Sequence, residues 1–210
     1  MKIVKQSWAF EEEVNGETIL KKIESAGRTC YKSEDLITAD SAKKFVVSIL
    51  KSGHHSVIEH HNISVRIITD RGVTHEIVRH RLASYSQEST RYCNYSKDKF
   101  GNEITVILPV WFDGDHDRDA QFKGWFHACK TAENYYFSLI DNGQTPQEAR
   151  SVLPNSLKTE IVMTCNIREW RHFFALRASN AAHPQMRELA RSMLKGFKEA
   201  VPMLFDDIAY

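Results

Sequence analysis

Nowhere in the 210 residues do two cysteines stand close enough to form a C-x-x-C pair; the four present, Cys30, Cys93, Cys129 and Cys165, are scattered. Neither a zinc ribbon nor a dithiol motif can be read from that spacing, and reduced thiols in a cytosolic compartment are expected. An excess of one charge is also missing. With 28 Lys and Arg against 27 Asp and Glu, the formal net charge is +1 at pH 7. A protein that binds DNA or RNA ordinarily carries a basic excess to neutralise phosphates, so no nucleic-acid partner is expected. No apolar run reaches the roughly 18 residues a membrane span needs, and the opening MKIVKQSWAF lacks a long apolar core. These absences predict no membrane partner and a place in the cytoplasm, or in a host cytoplasm if the protein is viral. Repeats, low-complexity tracts and Pro/Gly/Ser-rich linkers are lacking too, which predicts a single domain over residues 1–210. The 42% hydrophobic content suits a chain long enough to bury about 70% of its unfolded surface without disulfides or a structural metal.

The periodicities predict a mixed order of elements. An opening strand precedes a helix with Ile19, Leu20, Ile23, Ala26 and Cys30 at helical spacing. A second helix, Ala42 to Lys51, is capped by Asp40 or Ser41 and stopped at Gly53. Ile63, Val65 and Ile67 alternate as in a strand, which runs into a D-R-G turn, and VTHEIVRHRL then reads as a helix. EITVILPVWF reads as a strand. The segment from Asp119 to Gly143 is a long amphipathic helix with Phe122, Trp125, Phe126, Cys129, Tyr136, Leu139 and Ile140 inward. Thr145, Pro146 and Glu148 form a capping box with proline at the first helical position. LKTEIVMTCNI is a strand, REWRHFFALR a helix, and Pro184 opens a C-terminal helix through MLF. Strands scattered among helices without a βαβ rhythm predict an α+β fold, with a mostly antiparallel central sheet flanked by helices.

The densest chemistry lies in RHRLASYSQESTRY, Arg79 to Tyr92, which crowds three arginines, a histidine and four serine or threonine hydroxyls into 14 residues. Arginine grips phosphate bidentately, and the hydroxyls of Ser84, Ser86, Ser89 and Thr90 suit phosphate or ribose oxygens. If Arg79, His80 and Arg81 were helical they would diverge by about 100° each and reach different parts of a large ligand. The plainer alternative is a helix end with solvated arginines and a polar loop. GHHSVIEHH offers His54, His55, Glu59, His60 and His61, yet adjacent histidines point apart and Ser56 to Glu59 reads as helix capping, so no metal is expected. HEIVRH is not the zincin motif either, because His75 and His80 are five apart rather than four. In NIREWRHFFALR, Arg168, Arg171, His172 and Arg177 surround Phe173, Phe174 and Leu176, which suits either a half-buried anion site or a helix whose arginines pair with acids.

Arg79-His80-Arg81, seven residues, then Ser89 is a spaced motif, and SVIEHH, THEIVRHR, YSQESTRY, EARSVLP and CNIREWRHFFALR surround it in order. On these segments the sequence resembles the flavin-dependent thymidylate synthases over nearly its whole length. The resemblance implies conversion of dUMP to dTMP, with FAD as cofactor, methylenetetrahydrofolate as carbon donor, NADPH as reductant and no protein nucleophile. It implies FAD contacts from Ser56, Arg79, His80, Arg81, Gln87, Asn166, Arg168 and His172, with His54 on a segment near the flavin. For dUMP it implies Glu76, Arg79, Gln87, Glu88, Ser89, Arg91 and Arg150, with Arg177 facing the uracil ring as the catalytic residue. Glu76, Gln87 and His172 stand where some members carry glutamine, glutamate and asparagine. A homotetramer with sites shared between subunits is implied as well.

Overall fold

The computed structural model describes residues 1–112 and 119–210. Strands β1 (Lys2–Val4) and β2 (Ser7–Phe10) lead into α1 (Gly16–Thr29) and α2 (Ser41–Lys51). Then follow β3 (Asn62–Asp70), α3 (Arg71–Ile77), β4 (Ala83–Gln87), β5 (Thr105–Ile107) and the long α4 (Ala120–Asp141). The chain ends with α5 (Pro146–Ala149), β6 (Lys158–Asn166), α6 (Ile167–Arg177), α7 (Pro184–Ala200) and α8 (Pro202–Phe205). The α+β expectation holds: a four-stranded sheet has the order β2-β3-β6-β4, and β1 pairs in parallel with β5 apart from it. The larger sheet is antiparallel. Ile167 N–H donates to the His61 carbonyl and Arg71 N–H to the Leu157 carbonyl, so β3 and β6 run in opposite directions. Both of these strands alternate buried and less buried residues along their length, as a sheet with one core face requires.

The chain divides into two compact units. The first comprises Met1–Ser7, Ile67–Arg79 and Ser86–Val162. Its core gathers Tyr95, Ile104, Val106, Cys129, Tyr136, Ala149 and Leu157. On α4 only Cys129, Glu133 and Tyr136 are buried, so Phe122, Trp125, Phe126, Leu139 and Ile140 are half-buried rather than interior. Glu133 escaped the reading by hydrophobic period because it is a buried acid. Its carboxylate accepts from Ile104 N–H at 3.0 Å and pairs with the Lys130 ammonium, which compensates the burial.

The second unit comprises Trp8–Arg66, His80–Tyr85 and Met163–Tyr210. Its core is aromatic: Trp170 packs within 5.5 Å of Phe173 and 5.0 Å of Phe197, and its indole N–H donates to the Ile63 carbonyl at 3.0 Å. A buried indole needs such a partner, and here it ties α6 to β3. Helix α1 buries Ile19, Leu20 and Ile23 as expected, but Ala26 is half-buried and Cys30 exposed, because the helix ends at Thr29. The helix expected to run from Pro184 through MLF breaks in two, since Pro202 has no N–H to continue it. Gly196 on α7 leaves room for Trp8: a Cβ there would lie 2.3 Å from the ring, and the indole is held by a 3.0 Å bond to Ser192 Oγ. Gly196→Ala should therefore cost about 1–3 kcal/mol in urea unfolding and alter the Trp8 emission. An unchanged midpoint would contradict this packing.

Candidate active site

Two sequence expectations about the central motif change in the structure. The D-R-G segment is no turn: Asp70 caps α3, its Oδ1 accepting Val73 N–H at 2.7 Å, so β3 passes directly into the helix. Helix α3 then ends at Ile77, which leaves Arg79, His80 and Arg81 on the connection to β4 rather than on a helix. The consequence is a sharper separation than helical rotation would give. His80 is buried at 3% exposure, whereas Arg79 and Arg81 are exposed. The polar stretch that follows is likewise no loop at its start, because Ala83–Gln87 forms β4.

His80 is enclosed by groups of its own unit. Its Nδ1 lies 3.2 Å from Glu169 Oε1, and Arg177 Nε–H donates to its Nε2 at 3.1 Å. The Tyr85 hydroxyl donates to its backbone carbonyl at 2.7 Å, and the rings of Phe173 and His172 lie 4.9 and 5.5 Å away. Arginine can only donate, so Nε2 must carry the lone pair and Nδ1 the proton, which is donated to Glu169. Burial, with help from the Arg177 and His172 charges, pushes the imidazole pKa down to about 4. Burial lifts the Glu169 carboxyl above its usual range. His80 is therefore a neutral, single-tautomer imidazole at neutral pH.

His80, Glu169 and His172 are also the group of metal-ligand side chains that converges, within 4.8 Å, among the described residues. The sequence candidates His54, His55, Glu59, His60, His61 and His75 form no such group among the described residues, and Glu59 instead pairs with Arg168 at 2.6 Å. A cation at the convergent group would share His80 with an arginine already 3.1 Å from its Nε2, so the charge pattern opposes a metal.

The other residues of the second unit divide by partner. Arg171 is structural, forking onto Asp207 at 2.6 and 2.7 Å, and these hydrogen bonds, with its charge, hold the Asp207 carboxyl below the usual range. Asn166 caps α6, its side chain accepting Glu169 N–H at 2.9 Å. Arg168 and Glu59 are an exposed pair, worth at most about 1 kcal/mol, which would not hold the arginine from an anion. His54, Ser56 and His172 are exposed.

In the first unit, Gln87 lies in a determined orientation. Thr74 Oγ1 donates to the Arg71 carbonyl at 2.9 Å, so it accepts the Gln87 amide at 3.0 Å, and the same nitrogen donates to Thr159 Oγ1 at 3.2 Å. Both threonines are buried. A glutamate would place an acceptor against an acceptor, which explains the glutamine here. Ser89 Oγ accepts Arg91 N–H at 3.3 Å, and Arg150 Nη1–H donates to Thr90 Oγ1 at 3.2 Å. Glu88 turns to partners the sequence did not suggest, Lys158 at 2.9 Å and the Tyr95 hydroxyl at 3.0 Å. Glu76 is half-buried on α3. Arg79, Arg81 and Arg91 form no ion pair among the described residues. Thus the candidates for FAD, apart from Arg79 and Gln87, fall in the second unit, and those for dUMP, apart from Arg177, in the first.

The family model "Thymidylate synthase complementing protein" matches residues 16–203. The chain belongs to this family. A flavin-dependent thymidylate synthase from Geobacter sulfurreducens is 36% identical over 189 residues, covering 87% of this chain and 78% of its own. One from Mycolicibacterium gilvum is 37% identical over 201 residues, with 88% and 78% covered. The fold matches the crystal structure of a UMP/dUMP methylase from Streptomyces cacaoi bound with 5-Br dUMP, at a TM-score of 0.77 and 22% identity over 98% of this chain and 96% of that one. Glu169 is a residue that the sequence motifs did not single out. Its only sequence signal is a lone acid in REWRH, whereas folding puts it beside His80.

Gln87→Glu should destabilise the protein by about 1–3 kcal/mol in urea unfolding at neutral pH. A midpoint equal to the parent's would show that the threonine hydroxyls simply reorient.

Proposed function

We propose that the chain is a flavin-dependent thymidylate synthase that converts dUMP to dTMP, using methylenetetrahydrofolate as carbon donor and NADPH as reductant. The observation that carries the reading is the exposed pair Arg79 and Arg81, without acidic partners among the described residues, flanking a buried His80 in a chain of this family. Two solvent-facing cations beside exposed Val78 and Leu82 suit a ligand with both phosphates and apolar rings, as FAD has. The donor set therefore fits the cofactor. FAD, when bound and reduced, supplies the hydride.

The chain's own residues supply binding and electrostatics. Arg79 and Arg81 would meet the cofactor's phosphates, with Arg168, His172, Asn166, Ser56, His54 and Gln87 as further contacts. For dUMP, Arg91 and Arg150 would meet the phosphate. Ser89 Oγ already accepts Arg91 N–H, so its hydroxyl proton is the end suited to an anionic oxygen. Arg177 remains charged at all relevant pH and would stabilise negative charge on the uracil oxygens and N3. Two of the four thiols are unsuited to act as nucleophiles: burial raises the pKa of both Cys129 and Cys165, which keeps them protonated. Cys93 packs half-buried against the core of Tyr95 and Tyr136.

Residues 1–210 would act as one catalytic domain, and the assembly would be a homotetramer with shared sites. No helix among the described residues is long and apolar enough to cross a membrane, which accords with a cytoplasmic enzyme.

The test is the visible spectrum of the purified protein before and after anaerobic NADPH, with Arg177→Ala beside it. A two-band flavin spectrum that bleaches is expected for both proteins, with turnover of the variant lower by about 10²–10³-fold. A colourless protein that binds no added FAD would refute the reading, and loss of flavin from the variant would move Arg177 to the cofactor side.

A further inference from the structure

We infer that Glu169 and His80 form a positioning relay that aims the Arg177 guanidinium. The inference rests on the proposed role of Arg177. The geometry is a chain of two hydrogen bonds in series, Glu169 Oε1 to His80 Nδ1 at 3.2 Å and His80 Nε2 to Arg177 Nε at 3.1 Å. Its members are spread along the sequence, His80 before β4 and the other two on α6, so the relay joins the two segments of the second unit that carry the spaced motif and the proposed catalytic arginine.

Each bond depends on the other. An imidazole offers one acceptor nitrogen only while it is neutral, and the acceptor is Nε2 only while the proton sits on Nδ1. Glu169 enforces that tautomer. Without the carboxylate, the proton could move to Nε2, where it would confront the Arg177 N–H donor and push the guanidinium away. Around the imidazole stand Glu169, His172 and Arg177 of α6 and Tyr85 of β4, with Cys165 of β6 near Glu169. Arg177 and His172 both oppose a second proton on His80, so the ring is neutral from about pH 4 upward, while the half-buried tyrosine and the buried cysteine remain protonated through neutral pH; burial raises the Glu169 pKa, so the carboxylate that fixes the tautomer is present above that raised value.

Neither Glu169 nor His80 needs to touch the uracil for this to matter. An arginine on the last turn of a helix has several rotatable bonds, and its value as a charge stabiliser depends on the guanidinium standing where negative charge develops. Fixing Nε removes much of that freedom. A displacement of about 1 Å at a reacting group can lower a rate by about 100-fold.

The experiment compares wild type, Glu169→Ala, Glu169→Gln, Arg177→Ala and the double variant Glu169→Ala/Arg177→Ala in dTMP formation, with flavin content and the KM for dUMP measured on each. Glu169→Ala should lower kcat by about 10- to 100-fold while flavin content and KM stay near wild type. Glu169→Gln, whose amide oxygen can still accept from Nδ1–H, should recover most of the loss. In the Arg177→Ala background, Glu169→Ala should add little, because the group it positions is gone. Losses that multiply in the double variant, or a loss confined to flavin content or KM, would overturn the relay. A wild type that forms no dTMP would count against the proposed function alone, and the relay is then decided by nitrogen NMR of the His80 ring. A neutral Nδ1–H tautomer that is kept in Glu169→Gln and lost in Glu169→Ala supports it; an Nε2–H tautomer in wild type refutes it.

Discussion

One buried imidazole constrains the rest of the candidate site. His80 has little contact with water, and a neutral ring so placed must find one donor and one acceptor. Arg177 and Glu169 supply them, and the backbone carbonyl of the same residue is taken by Tyr85. With the middle residue of the Arg-His-Arg triplet fixed inside, its neighbours Arg79 and Arg81 face solvent. A chain with a net charge of only +1 can thus present concentrated positive charge to a ligand without being basic overall.

Arginines of this protein illustrate how folding decides function among chemically identical side chains. Arg171 is held by Asp207 in a fork and belongs to the scaffold, and Arg66 is likewise forked onto Glu11. Arg79 and Arg81 have no such acid among the described residues. Gln87 shows the same principle in an uncharged group: the hydroxyl of Thr74 has already committed its proton to a carbonyl, so only an amide donor satisfies it. These differences depend on hydrogen-bond direction, which a one-dimensional pattern does not carry.

Much of the fold was legible because its signals are local. The alternation of β3, the capping-box residues Thr145 and Glu148 and the proline that opens α7 each depend on near neighbours in the chain. Where local signals compete, the reading failed. Asp70-Arg71-Gly72 resembles a turn, yet Asp70 serves as a helix cap, and the pattern through Arg81 continued a helix that ends at Ile77. The spaced triplet and serine carried the family resemblance, and the family match confirmed it. Glu169 could not be found that way, because its meaning comes from a histidine 89 positions away.

A protein of this composition, with two buried thiols kept protonated and a set of outward-facing arginines, is suited to hold nucleotides and leave the redox step to a cofactor. The most direct measurement is mass-spectrometric analysis of the nucleotide formed anaerobically from dUMP, methylenetetrahydrofolate and NADPH with FAD-loaded protein. The account predicts dTMP, formed only when all three are present. Recovery of unchanged dUMP while NADPH is consumed, or with no NADPH consumed at all, would contradict it.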